Sequence, residues 1–396
     1  MVTMEDDSRW QFRPERDDPV TYDRQAIEYL VRQFNEPIEL AIDTLRTERF
    51  VFETMQSLHA GNLDVELLYR QCIPAAGIAV RLNLATEDIA RYLVLFATCQ
   101  TLILNNVDRH LDLSSSYTLR DPKALLRDVH AVTCYAMAEL YKGMGTAGPR
   151  AAAALREMAT VSLCIVQSMY DNYANRFRAD HLASPHLLLE GYQDPVRSRH
   201  LGSGFYSSSI RGLYAYFRLS PPPKMAEILL DMRRLRQRVD ELSDIYEDTV
   251  TGLLTYPVAR LLSMPAHHSH AVSLITHIWH RSRYLIASAG NDVGRSNSIL
   301  MMDSVLVHMQ ADLTELLLAS GVMVNCYREA EALWQNIRTG IRVHLDQAIA
   351  EVLRIVVDLK MAFLQRLSMA EWVDTPPGHT FDDIRSAITG KSHDEQ

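Results

Sequence analysis

The sequence predicts an all-α protein, and three observations carry that expectation. Nearly every segment between residues 23 and 373 repeats its apolar residues at three- and four-residue intervals, the period of a helix with one buried face. Alternating apolar–polar runs closed by hairpin turns are absent. Punctuation is sparse: HAGN near residue 60, LSSSYTLRDPK at 113–123, MGTAGP near 146, SPPP at 220–223 and MPAHHSH near 266. The expected architecture is a single bundle of about ten or more helices. It spans residues 23–373, between a surface tail at 1–22 and another at 374–396. No repeat of solenoid length occurs, and no low-complexity linker divides the chain.

Composition narrows the function classes. The 396 residues are 47% hydrophobic, enough for a sizeable core. The net charge of -9 and the lack of a basic stripe argue against a nucleic-acid partner. Lysines occur only at 123, 142, 224, 360 and 391, so positive charge is almost all arginine, which suits bidentate recognition of phosphate or carboxylate. A coding bias toward arginine explains the same excess. The five cysteines lie scattered, mostly in apolar helical stretches such as AVTCYAM and VSLCIVQ, without metal-ligand spacing. That pattern, with a charged N-terminus lacking an apolar leader core, suggests a reduced cytoplasmic protein. The longest apolar stretch, residues 299–324, carries Asp303, His308, Asp312 and Glu315. It reads as a buried core helix and not as a membrane span.

Two helices hold the candidate chemistry. The first opens at Thr86, a capping residue type followed by Glu87 and Asp88, and runs to about residue 112. Its middle is apolar on nearly all sides. Its end turns polar at Asn105, Asn106, Asp108, Arg109, His110 and Asp112. The second opens after Pro221–Pro223 and buries Met225, Ile228, Leu229, Met232, Leu235, Val239, Leu242 and Tyr246. At about 100° per residue, Asp240, Asp244, Glu247 and Asp248 fall on the other side as one acidic row. Like charges so close destabilise a helix unless something compensates. Asn105, Asp108 and Asp112 share one face of the first helix. Facing each other across a cavity, the two acidic ends make an oxygen-only ligand set suited to Mg²⁺, completed by substrate phosphates. The alternative is a solvated acidic face.

The segment Gln237-Arg-Val-Asp240-Glu241-Leu-Ser-Asp244 resembles the second aspartate-rich motif of trans-isoprenyl diphosphate synthases, Q-x-x-D-D-x-x-D. Glu247-Asp248, Gly252 and Thr255-Tyr256-Pro257 resemble that family's downstream D-x-x-x-G-K-x-T-x-P, with Leu253 at the usual lysine. Thr101-Leu-Ile-Leu-Asn105-Asn106-Val-Asp108 stands where the first aspartate-rich motif would be, at nearly the usual separation. The resemblance covers roughly residues 65–260. It implies the class I isoprenoid synthase fold, a helical bundle around a central apolar cavity. It implies Mg²⁺ as cofactor and a linear prenyl diphosphate as substrate, and members of the family commonly form homodimers; the apolar pattern implies no transmembrane segment. The implied metal ligands are Asn105, Asp108, Asp112, Asp240, Asp244 and Asp248, with Asp108, Asp240 and Asp244 as the catalytic set. Gln237, Arg120, Arg199 and Arg211 are candidates to bind diphosphate. Phe96, Phe205, Tyr206, Tyr214 and Tyr246 are candidates to line the cavity, where aromatic faces stabilise a carbocation. Gly202, Gly204 and Ser207–Ser209 are candidates for a helix break.

Departures from the motif keep several readings open. Asparagines replace two aspartates at 105 and 106. The G-G-K-R-x-R-P element and the mid-chain Lys-Thr pair of chain-elongating synthases are missing; the latter stretch reads FYSSSIRGLYAYF. The N-S-E motif of cyclases is missing too. The expected activity is a Mg²⁺-dependent class I terpene synthase acting by diphosphate ionisation and cyclisation. The alternatives are a prenyltransferase or prenyl diphosphate synthase of the same fold, and a degenerate homologue acting as a binding subunit. A zinc site at His267, His268, His270, His277 and His280 lacks a partnered carboxylate or cysteine, so these read as a surface loop and helix start.

Overall fold

A computed structural model describes residues 36–37, 40–41, 74–99, 149–193, 205–243, 245–289, 300 and 303–366. Every regular element among them is helical. After a helical stretch at 74–81 come α1 (Thr86–Cys99), α2 (Pro149–Ala174), α3 (Ala179–Ala183), α4 (Pro185–Gln193) and α5 (Phe205–Phe217). They are followed by α6 (Met225–Ser243), α7 (Ile245–Val250), α8 (Tyr256–Leu262), α9 (His268–Ala289), α10 (Ser304–Ala319), α11 (Val322–His344) and α12 (Gln347–Arg366). The all-α expectation therefore holds for the described residues. No helix among them is long and apolar enough to cross a membrane. The tails at 1–22 and 374–396 lie outside the described residues.

Two packed groups organise the interior. In one, α5 lies along α2, with α1 against both. Tyr92 of α1 donates its hydroxyl to the Ser209 carbonyl of α5. The helices meet closely at Gly212, where an added Cβ would sit 2.8 Å from the Tyr92 hydroxyl and 2.9 Å from Met158 of α2. In the other group α6, α11 and α12 pack mutually, and α8 bridges from α6 and α11 to α4 and α9. The α6 stripe of Met225, Ile228, Leu229, Met232, Leu235, Val239 and Leu242 is buried throughout, as its spacing predicts.

Local chemistry shifts several predicted boundaries. The first backbone bond of α1 runs from the Ile89 amide to the Ala85 carbonyl, so Thr86 lies inside the helix and does not cap it. Residues 299–324 do not form one core helix. Asp303 caps α10 by accepting the Leu306 amide at 3.0 Å, and Gly321 in the left-handed region (φ 73°) separates α10 from α11. α10 also shows Val305 and Val307 to solvent, at 43% and 45% exposure. The stretch Ser207–Ser209 does not break a helix. It lies buried within α5, where small side chains allow the close approach to α1 and α2.

Candidate metal and diphosphate site

Of the predicted acidic row, Asp240 is described on α6 and Glu247 and Asp248 on α7, while Asp244 lies outside the described residues. α6 is described to Ser243 and α7 from Ile245, and Tyr246 on α7 is half-buried. Asp240 and Glu241 occupy the last turn of α6, which contains no basic residue. Asp240 is half-buried and pairs with Arg236 one turn back, Nε to Oδ2 at 3.4 Å. Glu247 is exposed and Asp248 half-buried on α7.

Glu241 behaves differently from its neighbours. It is 3% exposed, and its two oxygens accept from Gln237 Nε2 at 3.0 Å and Arg238 Nη1 at 3.2 Å. Burial pushes its carboxyl up to about 7, against the opposing pull of Arg238 and Gln237. The Arg238 guanidinium lies 3.4 Å above the Tyr256 ring and 5.8 Å from the Tyr192 ring. Tyr256 donates its hydroxyl to Glu329 Oε2 at 3.0 Å, and Arg260 pairs with Glu329 while donating to the Tyr256 hydroxyl at 3.1 Å. Tyr192 stacks edge-on with Tyr256 and donates to the Leu254 carbonyl at 2.8 Å. Beside this group Cys326 of α11 is buried, which raises its thiol to about 12.

The turn after α7 is built by shape. Gly252 takes φ 92°, the left-handed region that a side chain disfavours. A Cβ there would come within 2.6 Å of the Phe177 ring. Phe177 itself has φ 56°, and its amide donates to the Gly252 carbonyl at 2.7 Å. Trp279 of α9 meets that ring edge-on and donates to the Thr249 carbonyl at 2.9 Å, while Arg283 covers the ring at 4.8 Å. The break that the sequence marks at Thr251-Gly252 is thus a locked turn that leads into Thr255-Tyr256-Pro257 and α8.

The remaining candidates fall in several places. Gln237 is half-buried on α6 and serves Glu241. Arg211 on α5 is exposed and holds Glu157 through Nε at 3.0 Å and Nη2 at 2.5 Å. Phe96 and Tyr214 are buried. The enclosed Tyr214 and Tyr246 hydroxyls make no hydrogen bond among the described residues, and burial raises both, Tyr214 to about 12. Phe205 and Tyr206 begin α5, and their side chains lie outside the described residues. Asn105, Asp108, Asp112, Arg120, Arg199 and Asp244 also lie outside them, as do Gly202 and Gly204.

The candidate ligands are all carboxylate or carboxamide oxygens, the donor type that Mg²⁺ takes. Asp240 and Asp248 are their described members, and no group of three or more His, Cys, Asp or Glu poised for a metal occurs among the described residues. The histidines fit the bland expectation. His268 starts α9 with Nδ1 2.7 Å from the Leu262 carbonyl, and the others are half-buried or exposed. Reading the sequence missed Arg238, Arg260 and Glu329. The available signal was Arg238 three residues before Glu241, within helical reach of a carboxylate. Comparison with protein-family models, curated proteins and solved structures finds no match to this chain.

Proposed function

We propose that the chain is a Mg²⁺-dependent class I isoprenoid enzyme, a terpene synthase that ionises and cyclises a linear prenyl diphosphate. The carrying observation is the last turn of α6. Its motif carboxylate Asp240 is half-buried there, an oxygen donor of the type Mg²⁺ takes, beside the inward-turned Glu241. The all-helical architecture and the turn at Gly252 leading into Thr255-Tyr256-Pro257 are consistent with the family pattern that the sequence resembles. Asn105, Asp108, Asp112, Asp240, Asp244 and Asp248 would hold the metal. Bound Mg²⁺ would draw charge from the diphosphate leaving group. Gln237, Arg120, Arg199 and Arg211 would orient the diphosphate oxygens. Phe96, Phe205, Tyr206, Tyr214 and Tyr246 would exclude water from the cation and offer it aromatic faces.

A second reading, a non-catalytic homologue that serves as a binding subunit, is favoured by one observation. Asp240 and Glu241 are already engaged by Arg236 and Arg238. Incubation with Mg²⁺ and prenyl diphosphates of ten to twenty-five carbons separates the readings. Hydrocarbon or alcohol products support the cyclase, and products formed only with isopentenyl diphosphate or an aromatic acceptor support a transferase. Absence of diphosphate release with every substrate supports the binding subunit. Turnover surviving in an Asp240→Ala, Asp244→Ala double variant removes the metal role from these residues.

A further inference from the structure

We propose that the outer face of α11 docks on the same face of a second copy of this chain, antiparallel about a two-fold axis between Gln335 and Asn336. The inference does not depend on the activity proposed above. α11 packs against α6, α12, α10 and α8, and its remaining side is exposed. Exposed residues recur there seven positions apart, Ala332 with Thr339 and Gln335 with Arg342, so they form one narrow stripe along the helix. The middle of the stripe carries only Ala332, Gln335, Asn336 and Thr339. Charge stands toward its ends, Arg328 and Glu329 at one and Arg342 at the other, with Asp346 just beyond. A centre without charge inside a charged rim is the usual anatomy of a protein interface.

Charge selects the partner, the direction and the register. In a two-fold contact each residue meets its counterpart twice. Centred between Gln335 and Asn336, the antiparallel pair sets Glu329 opposite Arg342, Ala332 opposite Thr339 and the two carboxamides opposite each other, while Arg328 lies between Val343 and Asp346 of the copy. A parallel pair sets Glu329 beside Glu329 and Arg342 beside Arg342, like charge against like. Centred on Ala332, the antiparallel pair puts Glu329 against Gln335; centred on Thr339, it puts Arg342 against Asn336. Only the proposed register joins opposite charges. Glu329 is also held in one direction by Tyr256 and Arg260, which lowers the cost of ordering it on contact. From Glu329 to Arg342 the stripe is about 20 Å long. A contact of that length lies at the small end of specific interfaces, so monomer and dimer exchange with concentration.

The test is sedimentation velocity of the full chain over a range of concentrations, at low and at high salt. Wild type is expected to dimerise as concentration rises, and less readily in high salt. Arg342→Glu sets two carboxylates against each other at both ends of the contact. The double variant Gln335→Glu, Asn336→Glu gathers four around the two-fold axis. Every position changed is exposed, and each variant is first checked for cooperative thermal unfolding. Both should weaken the dimer by about tenfold or more. Arg91→Glu is the control, because Arg91 is exposed on α1 in the other packed group, where it pairs with Asp88. It should dimerise as wild type does. Wild type that stays monomeric at every concentration overturns the proposal. Dimerisation unchanged in both α11 variants overturns it too, because the copies then meet elsewhere. Equal weakening in Arg91→Glu also overturns it, since the effect is then one of overall charge.

Discussion

Two regions flank the break after α7, and they are held by different physics. Around Glu241, four ionised or ionisable side chains and two tyrosines are joined by hydrogen bonds, ion pairs and a stacked guanidinium. Around Gly252, a backbone in the left-handed region, an aromatic ring against its Cα and an indole hydrogen bond hold the turn. The first region depends on protonation and on each partner being present. The second depends on volume and backbone torsion, which pH does not alter. A charge cluster built on one buried carboxylate sets partner ion pairs against desolvation, whereas a shape-locked turn fails as soon as an atom is added.

Substitutions should expose that contrast. The largest effect is expected from Gly252→Ala. A left-handed torsion costs a non-glycine residue about 1–2 kcal/mol, and forcing a methyl against a ring enclosed by Trp279 and Arg283 adds a further ~1–3 kcal/mol. Chemical denaturation should show the whole loss at pH 5 and at pH 8 alike. Arg238→Met comes next. It leaves the Glu241 carboxyl buried without its cationic partner and should cost about 2–4 kcal/mol at pH 8. The loss should shrink at pH 5, where the carboxyl protonates. An equal loss at both pH values would remove the charge-based account of this region.

Glu241→Gln tests the same region more gently. Burial raises the carboxyl from 4.5 to about 7 in the folded protein, so between those values the folded state keeps a proton that the unfolded chain has released. Stability of the wild type should therefore fall as pH rises through that window. The glutamine does not titrate, so variant minus wild-type stability should climb by about 1–3 kcal/mol from pH 4.5 to 8. A flat difference would show that Glu241 stays ionised throughout. The smallest effect belongs to Trp279→Phe. It keeps an aromatic ring near Phe177 but loses the bond to the Thr249 carbonyl, for about 1–2 kcal/mol independent of pH. Urea midpoints at two pH values would resolve it.

The helical class and the α6 stripe were legible in the sequence because a three-to-four-residue apolar repeat has one satisfactory solution, a helix with one face buried. The break at Gly252 was legible as well, since a glycine after a short polar run marks a backbone that other residues disfavour. The residues around it were not. Gln237 and Glu241 were readable as parts of a motif, yet Glu241 is the carboxylate turned fully inward. The continuous core helix expected at 299–324 failed for a local reason: Asp303 and Gly321 are start and stop signals inside an apolar run.

By itself the sequence determined which residues could be helical, which face of α6 is apolar and where acidic groups crowd. These are properties of neighbours within about one helical turn. Only the tertiary structure decided that Glu329 meets Tyr256 and Arg260, and that Phe177 closes on Gly252. Those pairs lie far apart along the chain, and their meeting depends on how helices pack. The direction of a side chain follows from its own helix, but its partner follows from the neighbouring one.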